Sequence, residues 1–267
     1  MKTALPANTL LVMSERDARN VITLTLNQPQ TFNALSTQMI AALQIELDVI
    51  AKDETARCVV IAASGKAFCT GHNLKDMAAN TAEADYRALF KQCSAMMLSI
   101  AKLPVPVIAR VQGIATAAGC QLVAQCDLAV CAPQARFATS GIHYGLFCST
   151  PSVPLTRTIA AKHAMQMLVT GAFIDAATAL QYGLVNAVAA DQSAAGLAAE
   201  VEKLICQIVN KPRAALALGK ELVRRQQGLN LEAAYALAGQ AMAANMMDAA
   251  AQEGVQAFAE KRLPCWK

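Results

Sequence analysis

Alternating apolar and polar positions over Val21–Leu26 predict a half-buried strand, and the unbroken apolar run Cys58–Ala63 predicts a fully buried one. Between them, Leu35, Met39, Ala42, Leu43, Leu47 and Ile50 recur at helical spacing, so residues 33–50 read as a helix packed on a sheet. A second helix is expected over 83–101, stopped by Pro104 and Pro106. Val105, Val107, Ile108 and Val111 then form a strand, Gly113 marks a turn, and a new helix begins near Ala118. Leu128 to Ala132 is another strand. Pro151 suits the first turn of a further helix, with Thr150 as its N-cap and Gly171 past its end, and Asp175 caps a short helix that Gly183 terminates. Strands alternating with helices predict an α/β arrangement with parallel pairing.

The pattern changes near residue 192. Helical segments over 195–209, 212–227, 231–247 and 250–261 follow with no competing strand, dividing the chain into an α/β core (1–191) and a C-terminal helical region (192–267). No low-complexity linker separates the two, so the helices are expected to dock on the core.

Composition narrows the class. The 267 residues are 55% hydrophobic and 16% charged, enough for a sizeable core. A net charge of +4 without a block of like charges argues against nucleic acid as partner. No apolar run is long and charge-free enough to span a membrane, and residues 1–20, with Glu15 and Asp17, lack the core of a signal peptide. Nine cysteines without a CxxC pair suggest reduced, buried thiols and a cytoplasmic location. Three histidines scattered singly offer no metal spacing.

The chemistry concentrates between Pro104 and Asp127. Thr116 to Gly119 have almost no side chain to hold a ligand away from the backbone, and the helix that follows presents N–H groups without partners at the positive end of its dipole. A close helix–strand contact would use the same small residues. A second loop, SGKAFCTGHNLKDM, carries Gly65 and Gly71, which reach backbone conformations other residues resist.

Five segments in order, GKAFCTGHNLKDM, PVPVIARVQGIATAAGCQLVAQCDLAV, FATSGIHYGLFCSTP, LVTGAFIDAATALQYGLV and EGVQAFAEKR, resemble the enoyl-CoA hydratase/isomerase (crotonase) superfamily over nearly the whole chain. ATAAGCQLVA, GLFCSTP and EKRLPCW are nearer to its branch containing enoyl-CoA hydratase domain-containing protein 3. The resemblance implies a crotonase-like spiral of ββα units with a C-terminal helical trimerisation region, giving a homotrimer or a dimer of trimers. It implies an acyl-CoA thioester as ligand, with coenzyme A part of the substrate and no separate cofactor. Two backbone N–H groups, those of His72 and Ala118, would form the oxyanion hole for the thioester carbonyl. His72, Asn73, Leu74 and Lys75 would lie along the CoA arm, and Phe258 and Lys261 would hold its nucleotide end.

Two departures matter. The family's hydratases use two glutamates, and those positions here are Gln121 and Gly141. An amide does not exchange protons near neutral pH and glycine has nothing to exchange, so ordinary hydration is not expected of this chain. His143, in the loop after Gly141, is the natural substitute because imidazole titrates near neutral pH, although a histidine held by one hydrogen bond in a packed loop fits equally. Cys148 has no evident activating partner, Ser149 and Thr150 suit helix capping, and Asp127 reads as structural. Two functions remain: an enzyme acting on an enoyl- or acyl-CoA through an enolate-stabilising oxyanion hole, and a noncatalytic acyl-CoA binder or regulatory subunit.

Overall fold

The computed structural model describes residues 10–79 and 81–266. In chain order the elements are β1 (Val12–Arg16), β2 (Val21–Leu26), α1 (Thr37–Ala51), β3 (Cys58–Ala63), β4 (Ala67–Cys69), α2 (Leu74–Ala79) and α3 (Glu83–Lys102). They continue with β5 (Val107–Val111), β6 (Ile114–Thr116), α4 (Ala118–Gln125), β7 (Leu128–Cys131), β8 (Arg136–Ala138), α5 (Ser149–Thr158) and α6 (Ala161–Thr170). The chain closes with β9 (Ile174–Asp175), α7 (Ala176–Tyr182), β10 (Ala187–Val188), α8 (Ala194–Val209), α9 (Arg213–Gln226), α10 (Leu231–Met246) and α11 (Ala249–Ala259).

A six-stranded sheet runs β1-β2-β3-β5-β7-β10, parallel except for the β1–β2 pair, and a four-stranded sheet runs β4-β6-β8-β9. Each turn of the spiral places one strand in the large sheet and the next in the small one before the chain enters a helix: β3-β4-α2, β5-β6-α4, β7-β8-α5. The fold is therefore the expected spiral of ββα units followed by helices. Alternation along β3 sorts its residues between two cores. Val59 and Ile61 face α1, α3 and the small sheet, while Cys58 and Val60 face Leu197, Val201 and Ile205 of α8.

Some boundaries differ from the sequence reading. The first long helix starts at Thr37, capped by the Ser36 hydroxyl, because Phe32 and Asn33 take left-handed conformations that end a preceding 3-10 turn. Asn33 is fully buried and uses both ends of its amide, accepting from Gln28 N–H (2.8 Å) and donating to the Ser64 and Ala67 carbonyls (2.8 and 2.9 Å). Thr150 is not an N-cap. The helix begins at Ser149 after Cys148, with no side-chain cap, and breaks at Ile159–Ala160 into two helices before Gly171 closes the second in a left-handed turn. Asp175 and Gly183 cap and terminate α7 as expected.

Beyond α8, the C-terminal helices dock through few buried groups. Lys220 of α9 donates to the Ile100 and Val105 carbonyls (both 3.0 Å) and pairs with Asp127 (2.6 Å), whose carboxylate also accepts from Val107 N–H (2.8 Å). Burial holds the Asp127 carboxyl above its ordinary range even beside that lysine. The Asp127 side chain keeps 30% of its surface in water, so the main loss in Lys220→Met is the donor to the Ile100 and Val105 carbonyls, and the protein is expected to be destabilised by about 1–3 kcal/mol in denaturant unfolding. Beyond this anchor α9 and α10 bury no residue, and Leu231, Tyr235, Met242, Met247, Phe258 and Leu263 are exposed.

Candidate functional site

The site is assembled from two backbone turns. After β4 the chain passes through Gly71 at φ +85°, and the Gly71 carbonyl accepts from Leu35 N–H (2.8 Å), tying this loop to the turn that precedes α1. After β6, Ala117 takes φ 50° and ψ −121°, unusual for a residue with a side chain, and its N–H donates to Ala138 O (3.0 Å). That conformation turns the chain sharply into α4. Gly119 lets the helix lie on β4, since a methyl group there would fall 2.0 Å from the Cys69 carbonyl oxygen.

These two turns meet. A methyl group on Gly71 would stand 2.9 Å from the Ala117 methyl and 3.0 Å from the Ala118 nitrogen. The first N–H groups of α4 and the N–H of the residue after Gly71, His72, therefore belong to one small region. Among the described residues neither the His72 N–H nor the Ala118 N–H has a hydrogen-bond acceptor. Such donors at a helix N-terminus are poised for an oxygen that carries or gains negative charge.

Gln121 lies three residues into the helix, on the same face as Ala118, and is 4% exposed. Its carbonyl oxygen is buried without a partner. Gly141 sits in a 3-10 turn (Ser140–Tyr144) where a methyl group would fall 2.6 Å from Leu146 O and 2.9 Å from Cys148 Sγ. The space for a side chain at this position is filled by the next bend of its own loop. A hydroxyl pair missed in the sequence, Thr116 to Ser140 (2.7 Å), joins the end of β6 to the residue before Gly141. Isolated Thr and Ser residues 24 apart gave no signal for it.

Burial disfavours the charged forms of the His72 ring and of the nearby thiols. The His72 Nδ1 contacts Leu35 O (3.1 Å), so it carries the proton, while Nε2 is buried without a partner and the ring stands edge-on to Phe90. Burial lowers its pKa from the usual 6.5. A histidine kept neutral in the fold leaves stability intact above that value and lowers it as pH falls, because the unfolded chain then takes up the proton first. His72→Gln should therefore flatten the loss of melting temperature seen below about pH 6.5. Burial also pushes the Cys120 thiol up to about 12 and raises that of Cys148, which argues against a thiolate nucleophile.

The remaining candidates disperse. His143 is exposed and its Nε2 contacts Gly171 O (3.2 Å), against the glycine that ends α6. Asn73 caps α2, accepting from Lys75 N–H (3.1 Å), while Leu74 and Lys75 are exposed. Asn73 also lines a cavity of about 560 Å³ with Leu35, Gln38, Tyr86 and the carboxylate-bearing Asp76 and Asp85, between α1, α2 and α3. Phe258 and Lys261 are exposed at the end of α11 and take no part in the cluster around Gly71. Among the described residues no group of His, Cys, Asp and Glu could hold a metal ion, and no helix is long and apolar enough to cross a membrane.

Comparison with known proteins places this geometry. Residues 16–267 match the model of the family described as enoyl-CoA hydratase/isomerase. The enoyl-CoA hydratase domain-containing protein 3, mitochondrial, of Xenopus laevis is 41% identical over 256 residues, spanning 96% of this chain and 85% of the relative. A crystal structure of an enoyl-CoA hydratase from Mycobacterium smegmatis is 56% identical with a TM-score of 0.93, covering 96% of this chain and 98% of the other. That of human enoyl coenzyme A hydratase domain-containing protein 3 is 39% identical with a TM-score of 0.89, covering 96% and 100%. One expectation is corrected. Five vertebrate relatives of this branch are mitochondrial proteins, which overturns the cytoplasmic location read from the cysteines. Reduced thiols separate reducing from oxidising compartments but not one reducing compartment from another.

Proposed function

The chain belongs to the enoyl-CoA hydratase/isomerase family, and within it we propose that this protein binds an acyl-CoA thioester and stabilises the enolate form of its acyl group. The carbonyl oxygen would sit between the N–H groups of His72 and Ala118. The observation that carries this reading is the approach of Gly71 to Ala118 N, with both neighbouring N–H donors unused among the described residues. Backbone donors held by two rigid turns need no reorganisation as charge develops on the oxygen, and removing one such donor costs about 10²–10³ in rate. The cavity beside Asn73 offers room for the arm or the acyl group that enters past this point.

Water addition by paired carboxylates is not part of the proposal. Gln121 cannot take a proton from water, and Gly141 has no space for a carboxylate. Gly141→Glu, alone or with Gln121→Glu, is therefore expected to cost about 1–3 kcal/mol through overpacking against Leu146 and Cys148, and to gain no hydratase activity. Assay of 3-hydroxyacyl-CoA formation from 2-enoyl-CoA, beside a melting curve, checks both. The same closed glycine also favours a second reading, a noncatalytic acyl-CoA binder or regulatory subunit.

Exposed apolar side chains on α10 and beyond, Leu231, Tyr235, Met242 and Met247 among them, support a homotrimer or a dimer of trimers in which other copies cover them. Light scattering after gel filtration would give three or six chain masses; a monomer would overturn this part. The binding reading is tested by melting the protein with butyryl-CoA and acetyl-CoA. A rise in melting temperature with ligand concentration is expected, and no shift with any thioester would refute it.

A further inference from the structure

The face of the large sheet turned away from α1 and α3 carries a second cavity, which is independent of the acyl-CoA reading. Residues of β5 alternate between the two cores. Val107, Ala109 and Val111 belong to the core that includes α1 and α3, while Ile108 packs in the one beneath α8. Arg110 shares the face of Ile108. There α8 covers only part of the sheet, through Leu197, Val201 and Ile205. Toward β1 the sheet is open, and a cavity of about 250 Å³ remains between α8 and strands β1, β2, β3 and β5.

Among the described residues six charged side chains line this cavity, and four of them are engaged. Arg16 is held by Asp53 and by the Thr55 hydroxyl (2.8 Å), and Arg19 by Asp17 (2.8 Å) and by Glu202 of α8 (3.0 Å). Arg110 and Glu15 remain. Neither side chain makes a hydrogen bond among the described residues, and no ion pair closes between them, although the Glu15 charge acts on Arg110. Burial lowers the Arg110 pKa below its ordinary value, as it does for a guanidinium drawn from water with no counter-charge in contact. Thr23 lines the floor, paired in register with Glu15 on one side and Val60 on the other, and its hydroxyl is likewise unused among the described residues. The opposite wall, Val60, Ala198, Val201 and Ile205, is apolar.

A simple anion would meet Arg110 but also Glu15, Asp17 and Glu202, so phosphate is disfavoured. A ligand with a carboxylate and an ammonium on one carbon meets both unpaired charges with the right sign. A guanidinium takes a carboxylate through two parallel N–H donors, and an ammonium donates to a carboxylate and a hydroxyl. We propose that this cavity binds a free α-amino acid with a short aliphatic side chain, its carboxylate on Arg110, its ammonium on Glu15 and Thr23, and its side chain against Val60, Val201 and Ile205. The bound ligand joins the core strands to α8, the first helix of the C-terminal region.

The test is isothermal titration of the full chain with L-valine, L-leucine and glycine, beside inorganic phosphate, isocaproate and isopentylamine. The last two are leucine without its ammonium and leucine without its carboxylate. Expected is saturable binding of L-valine and L-leucine, about tenfold or more tighter than that of the other four probes. Arg110→Met and Glu15→Gln should each weaken it by about tenfold or more, the scale of one charged hydrogen bond. Ligand-free Arg110→Met should melt no lower than wild type, because it removes a desolvated charge that has no ion-pair partner. Glu15 is exposed, so Glu15→Gln tests the site without disturbing the core. No saturable binding of L-valine or L-leucine at millimolar concentration would overturn the proposal, as would binding that both variants leave unchanged. Isocaproate or phosphate binding as tightly as L-leucine, with no effect of Glu15→Gln, would make this a plain anion site and overturn the assignment of an amino acid.

Discussion

Ala118→Pro is expected to lower turnover of any CoA thioester by about 10²–10³, or to abolish it, because the substitution deletes one of the two N–H donors proposed for the thioester oxygen. Proline is well tolerated at the first position of a helix, where the N–H has no intrahelical partner, so the loss falls on ligand rather than on the helix ladder. The cost to the fold comes from Ala117. Its φ of 50° and ψ of −121° lie away from the extended region that a residue before proline prefers. Ala118→Gly separates the two effects, since it loosens the same backbone and keeps the N–H. Rates near wild type in the glycine variant with none in the proline variant would locate the effect in the donor. Equal rates in wild type and Ala118→Pro would refute the oxyanion assignment.

Gly71→Ala should be nearly as damaging by a different route. At φ +85° an added methyl group is strained wherever it points, and here it points at the Ala117 methyl and the Ala118 nitrogen, 2.9 and 3.0 Å away. The two turns must move apart, and with them the donors on His72 and Ala118. A stability loss of about 1–3 kcal/mol is expected, with the melting shift given by acyl-CoA gone. Far-UV circular dichroism should remain that of the wild type, since the site is made of loops carried on intact elements. A Gly71→Ala protein that binds butyryl-CoA as tightly as wild type would show that the ligand does not approach Ala118.

Part of this candidate site was legible from residues 104–127 alone. Small residues ahead of a helix pointed to N–H donors without intrahelical partners, and the helix does begin at Ala118. The departures at Gln121 and Gly141 were equally plain, because the chemistry of an amide or of a missing side chain needs no coordinates. The meaning of Gly141 was not. Whether a glutamate could be restored there depends on Leu146 and Cys148, neighbours brought back by a turn whose path the residue types do not specify. Asn33 shows the same limit, for a left-handed buried asparagine bonded to Ser64 and Ala67 was read as part of a helix.

The sequence by itself determined the periodic elements, the alternation of strands with helices, and which proton-transferring groups are missing. These follow from backbone preference and side-chain chemistry, which act within a few residues. Only the tertiary structure decided that Gly71 lies against Ala118, that the two turns leave adjacent donors unused, that Thr116 reaches Ser140, and that Lys220 anchors the helical region on Asp127. Each of these joins segments far apart in the chain through a close contact, and local pattern carries no record of which distant backbone arrives at such a distance.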